Sequence, residues 1–101
     1  MYARVVKIEA RPDRIEECIR IFREVNGPSI ARQPGFDHGH WWADRDTGEA
    51  VSVTFWDTAE HERASRADVP ALITGMAHVL ATHEVSQHSY ERVHDQHPIG
   101  P

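Results

Sequence analysis

Gln33-Pro34-Gly35-Phe36-Asp37-His38-Gly39-His40-Trp41-Trp42-Ala43-Asp44-Arg45-Asp46-Thr47-Gly48, running on through Glu49 to Trp56 and Asp57, reads as loop, strand, tight turn, strand. Pro34-Gly35 breaks any helix before it. Side chains alternate along a strand, so Phe36, His38, His40 and Trp42 are expected on one face, and Asp37, Gly39, Trp41 and Ala43 on the other. Asp44 to Gly48 has turn chemistry, with Gly48 free to take a positive φ. In the second strand Val51, Val53 and Phe55 share a face opposite Ser52, Thr54 and Trp56.

Before this hairpin, residues 2–10 read as an inner strand, apolar on both faces near its centre. Arg11-Pro12 ends it, and Asp13 with Glu16 has the spacing of a capping box. Ile15, Cys18, Ile19, Phe22 and Val25 then recur at helical spacing. The helix is expected to end near Asn26-Gly27, with Gly27 as C-cap; Pro28 to Gln33 adds at most a turn. After the hairpin, Asp57 or Thr58 can cap a second helical region. Pro70 fits the first turn of a fresh helix there. Leu72, Ile73, Met76, Val79 and Leu80 form its apolar stripe, with His78 on the far side. Residues 84–93 read as a last, polar strand suited to an edge. The expected domain is 1–94, with 95–101 as a flexible tail.

Strand, helix, strand, strand, helix, strand is the ferredoxin-like α+β order, βαββαβ, with one four-stranded antiparallel sheet. Both helices would cover one face. The middle strands are apolar on both faces, so a second copy is expected over the other, giving a homodimer and a dimeric α+β barrel.

The chain has 101 residues, 40% of them hydrophobic, enough for one small domain. A net charge of −5 argues against a nucleic-acid partner. One cysteine excludes a disulfide framework and makes a reducing cytoplasm the default compartment. No apolar run is long enough to span a membrane.

Ala3 to Glu9, Pro34-Gly35-Phe36, Asp44 to Gly48, Val51 to Asp57 and Tyr90-Glu91 together resemble the antibiotic biosynthesis monooxygenase superfamily of dimeric α+β-barrel proteins. The resemblance implies a homodimer with a pocket between each sheet and its helices. It also implies a cofactor-independent oxygenase acting on an aromatic or polyketide-like molecule. A non-catalytic small-molecule-binding or accessory protein, and a haem-binding or haem-degrading one, are the alternatives it carries. For haem, only His78 stands where a ligand would; Val5 and Val6 occupy the first-strand place of that branch's Asn. The quinone-forming branch is associated with Asn, Trp, Arg and Tyr, for which this chain offers Trp42, Trp56, Arg4 and Tyr90, but no Asn outside Asn26.

His38 and His40, two apart on one strand, point the same way and suit proton transfer. A metal needs a third ligand, and none is evident, so no metal site is assigned. The expected catalytic set is therefore His38 or His40 as base and Arg4 as oxyanion holder. Phe36, Trp42, Trp56 and Tyr90 line the substrate site, and His78 serves only if haem binds. Trp41 and Trp42 must face opposite ways: one toward the helices, one toward the second copy. Cys18 lies on an apolar helix face and reads as core.

Overall fold

The computed structural model describes all residues from Met1 to Pro101. Four strands, β1 (Tyr2–Glu9), β2 (Phe36–Ala43), β3 (Glu49–Trp56) and β4 (Ser86–Glu91), form one sheet in the order β2-β3-β1-β4. Every neighbouring pair is antiparallel. The ferredoxin-like α+β architecture is thus the observed one, with β1 inside and the polar β4 at an edge. Gly48 takes φ 84° in the β2–β3 turn, where a side chain would be strained. Asp44 organises that turn by accepting the backbone N–H groups of Asp46 and Thr47 at 2.9 and 3.2 Å.

Register assigns the faces. Arg4 pairs with Thr54, Val6 with Ser52 and Ile8 with Ala50, all directed at the helices. Trp41 opposes Ser52 and joins this face. Ala3, Val5, Val53, Phe55, His40 and Trp42 lie on the other face by the same pairing. Phe36 departs from the expected phase. The register slips between Phe36 and His38, so Phe36 opposes Trp56 while His38 opposes Phe55. One bulged residue turns the strand over, which separates Phe36 from His38, His40 and Trp42.

The first helical region is longer than expected. A 3-10 turn (Pro12–Arg14) leads into α1 (Ile15–Ile21), a π-helical turn (Phe22–Asn26) and α2 (Gly27–Ala31). The Asp13–Glu16 capping box is absent: the cap position, Arg11, makes no side-chain cap bond. Glu16 instead accepts Arg45 Nε at 2.5 Å, tying the hairpin to the helix. Gly27 is not a C-cap. It is helical, with φ −57° and ψ −55°, and donates its N–H to Phe22 O five residues back. Pro28 has no N–H for Glu24 O, and its ring would crowd that carbonyl in a regular helix. A wider turn makes room, so the chain passes Pro28 without stopping. The inserted residue rotates the stripe: Val25 is 51% exposed, and Asn26 is buried in its stead.

The second helical region starts as expected at Thr58, whose hydroxyl accepts His61 N–H at 3.1 Å. It runs through α3 (Ala59–Ser65), a 3-10 turn (Arg66–Asp68) and α4 (Val69–Gly75), with Pro70 in the first turn of α4. A further 3-10 turn (Ala77–Val79) leads to an isolated bridge between Leu80 and Ala10. The core between sheet and helices joins Ile8, Cys18, Ile21, Phe22, Ala50 and Met76. Beyond β4, Arg92 N–H bonds Met1 O at 2.9 Å, and residues from His94 onward are exposed coil. No helix is long and apolar enough to cross a membrane.

Candidate functional site

Between the sheet and the helices lies a chamber of about 30 Å³. Its walls come from β1, the π-turn, α2, β2, β3 and α4: Val6, Ile8, Phe22, Ile30, Trp41, Val69, Leu72, Ile73 and Met76, with Arg4, Asn26 and Ser52 as the polar members. That space holds only a water or two in this conformation.

Arg4 is its dominant feature. It is 1% exposed, because its position on β1 aims it under the helices. One Nη1–H donates to Ser65 Oγ, and the guanidinium carbon sits 5.4 Å from the centre of the Trp56 ring. Nε has no partner at all. Burial pulls the Arg4 pKa down from its ordinary value, and the nearby Glu62 and Asp68 carboxylates push it back up. The Ser65 hydroxyl donates to the backbone carbonyl of Glu62 at 2.6 Å, and so is oriented to accept from Arg4. The Glu62 carboxylate is buried, and Arg66 grips it with Nε at 2.9 Å and Nη2 at 3.1 Å. Ser89 Oγ also donates to it. The Arg4 donor is thus held in place without being consumed, in a wall that is otherwise mostly apolar.

Asn26 is the second polar group in the wall. It is 6% exposed, and its one side-chain hydrogen bond runs from Nδ2 to the Met76 sulfur at 3.4 Å, a weak acceptor. Arg4 and Asn26 therefore both have hydrogen-bonding capacity to spare.

The expected site residues divide between the two faces. Arg4 and Trp56 come together, and Phe36 meets Trp56 edge-on with ring centres 5.5 Å apart. Trp56 is fully buried, and its Nε1–H is satisfied by Thr54 at 3.0 Å. His38, His40, Trp42 and Tyr90 lie on the opposite, open face. There His38 stacks on Phe55 at 4.4 Å, bonds Asp37 through Nδ1 at 2.5 Å, and meets the His40 ring at 5.4 Å. Trp42 and Tyr90 are 62% and 55% exposed. The sheet itself stands between these imidazoles and Arg4, so neither histidine lines the chamber. His78 is on the outer surface, 3.9 Å from Glu17. No group of three or more His, Cys, Asp or Glu comes together in a form that could hold a metal. Cys18 is fully buried, and burial raises its thiol to about 11.

Reading the sequence alone gives no site role to Asn26, Ser65 or Glu62, and puts Trp42 in the substrate site where the structure has Trp41. For Asn26 a signal exists: it follows Val25 directly, and Pro28 in the next turn forces the helix to shift phase. For Ser65 and Glu62, three apart on a polar helical stretch, nothing in the pattern marks burial.

An open cleft of about 350 Å³ adjoins the chamber. Ile19, Phe22, Trp41, Trp42 and Ala43 line it, with Arg23 and Arg45. Phe22 and Trp41 belong to both spaces. The comparable hollow beside Lys7, Glu9, Glu49 and Glu84 is open, and only Ile8 and Val85 among its lining residues are hydrophobic.

Known structures share this fold. The monooxygenase ActVA-Orf6 of Streptomyces coelicolor, solved with the ligand nanaomycin D, is 15% identical, with a TM-score of 0.77 over 97% of this chain and 92% of that one. SnoaB, a cofactor-independent oxygenase from Streptomyces nogalater, is 16% identical, with a TM-score of 0.67 over 93% and 94%. A Nitrosomonas europaea protein of unknown function is 15% identical, with a TM-score of 0.76 over 98% and 95%. No curated protein sequence matches the chain. At these identities the structures speak for the fold. The family model described as antibiotic biosynthesis monooxygenase matches residues 1–85, most of the chain, and by that match this protein belongs to the antibiotic biosynthesis monooxygenase family.

Proposed function

We propose that this chain is a cofactor-independent monooxygenase of an aromatic or polyketide-like substrate, whose ionised oxygen Arg4 holds in the chamber between sheet and helices. One observation carries the reading: the buried Arg4 Nε–H has no acceptor in a wall that is otherwise mostly apolar. An unmet buried donor costs free energy, and a ligand oxyanion removes that cost. The same charge favours the ionised form of a phenol over the neutral one.

The chemistry follows from that anion. A phenolate is electron-rich enough to give one electron to O2, leaving an aryloxyl radical and superoxide. Their recombination at the ring carbon para to the oxygen forms a C–O bond. Protonation of the distal oxygen yields a hydroperoxide. Loss of the ring C–H proton together with hydroxide then breaks the O–O bond. In sum, phenol and O2 become quinone and water, with one oxygen atom in each product. Arg4 holds the substrate oxygen, first as the phenolate anion and then as the carbonyl, and the apolar walls keep water from the radical pair.

No histidine, aspartate or glutamate lines the chamber. The expected base, His38 or His40, faces away from it, so in this reading the substrate ionises as it meets Arg4 and its proton leaves to water. That same lining favours a second reading, in which the chamber binds an aromatic anion without changing it.

The open face is the place of a second copy in this proposal. Val5, Val53, Phe55, Trp42 and Tyr90 form an uncovered aromatic and β-branched surface, and a homodimer covers it symmetrically. The single, buried Cys18 suits a reducing cytoplasm.

Oxygen uptake with a panel of phenols and hydroxyanthrones tests the main claim. Expected is uptake matched one to one by quinone, abolished in Arg4→Met and retained in His38→Ala and His40→Ala. Substrate bound yet recovered unchanged selects the binding reading. Full turnover in Arg4→Met rejects both.

A further inference from the structure

We infer that Trp41, with Phe22, is an internal gate between the open cleft and the Arg4 chamber, and that it sets the width of the aromatic anion admitted. The inference rests on the reading of Arg4 as anion holder. The two spaces differ more than tenfold in volume, about 350 against about 30 Å³, and share these two side chains as a common wall. The residue with the unmet polar atom, Arg4, lines the inner space, while the outer one has room for a ring. A ligand that reaches Arg4 from the outer cleft displaces that wall.

The Trp41 ring rests against two glycines on different elements. A Cβ on Gly39 would stand 3.0 Å from Trp41 Cζ3, and a Cβ on Gly27 would stand 3.8 Å from Cη2. Neither glycine has a positive φ, so backbone conformation does not account for Gly39; space for the indole does. Trp41 is half-buried and packs against the core. Phe22 opens the π-turn, a widened stretch of helix of the kind often found at functional sites. The ligand class is a flat anion whose oxygen-bearing end passes between Trp41 and Phe22. Its remainder lies in the outer cleft near Ile19, within reach of Arg23.

Equilibrium dialysis of two coloured anions tests this without requiring turnover. The probes are para-nitrophenolate and the nitronaphtholate wider by one fused ring, at a pH where both are ionised. Wild type is expected to favour the narrow anion. Trp41→Ala should shift the ratio of affinities toward the wide one by about tenfold, the scale on which an apolar wall discriminates. Trp41→Phe should shift it the same way by less, and serves if the alanine variant does not fold. Gly39→Ala, which wedges the indole, should weaken both anions. Arg4→Met should abolish both. An unchanged ratio in the folded Trp41 variants overturns the gate, as does failure of wild type and Trp41 variants alike to bind either probe. Undiminished binding in Arg4→Met, with the ratio still shifting at Trp41, removes Arg4 as the anion holder and leaves the gate standing.

Discussion

The two faces of the sheet are made by the same four strands, yet they have different fates. The helix-side face encloses Arg4, Thr54 and Trp56, each at most 1% exposed. The other face leaves Trp42 and Tyr90 more than half exposed, beside His38, His40 and Phe55. Trp41 and Trp42, neighbours in sequence, divide between them. A polar side chain is costly on the first face and cheap on the second. Arg4 with an unmet donor is therefore the informative residue, while the His38–His40 pair is a weaker signal than its spacing implies.

The contrast can be broken most directly at Trp56. Trp56→Ala should lose about 3–5 kcal/mol of stability, as a large buried aromatic does, measured by guanidinium unfolding. Trp42→Ala in the isolated subunit should stay within about 0.5 kcal/mol. Equal losses would show that the faces do not differ. The proposed covering of the open face is tested by Val53→Glu, which places a carboxylate at its centre. Sedimentation velocity should then show self-association weakened about a hundredfold, a change of roughly 3 kcal/mol. A lone subunit already present in wild type at micromolar concentration ends the dimer proposal.

The helix-side face has its own weak point in the π-turn. A Cβ at Gly27 would lie 2.9 Å from Phe22 O, and a backbone carbonyl yields little. Gly27→Ala should cost about 1–3 kcal/mol by chemical denaturation. Gly75→Ala, with nothing within 4 Å of the new atom, is the control and should not destabilise. The smallest effect belongs to the exposed rim. The His61 ring bonds Asp57 at 2.6 Å and holds its carboxyl below the ordinary value of 3.8. Because the folded-state value is the lower one, the stability from this pair is present above about pH 4 and lost as pH falls through the depressed value. Asp57→Asn should lower the melting temperature slightly at neutral pH and bring it level with wild type in acid, as followed by circular dichroism.

Local signals made much of the fold legible. Gly48 in the turn, Thr58 at the helix start, Pro70 in the first turn of α4 and the polar pattern of β4 each act within a few residues, and each is found where its chemistry puts it. The errors fall where one residue is added to a repeat. At Asp37 a bulge takes Phe36 off the face of His38. At Phe22–Asn26 a π-turn takes Val25 out and brings Asn26 in. Gly27-Pro28 has the composition of a helix stop, yet the helix widens and continues. Packing of α2 through the buried Ile30 is contact that no local pattern reports.

Sequence by itself determined the element order, β1 as an inner strand, β4 as an edge, and the opposition of Trp41 to Trp42, because alternation and capping are properties of adjacent residues. Only the tertiary structure decided which of the two tryptophans meets the helices and that Arg4, Asn26 and Trp56 share a side without His38 or His40. Periodicity sets relative phase along a strand or helix. Absolute phase depends on register with neighbours distant in the chain, and a single inserted residue reverses it.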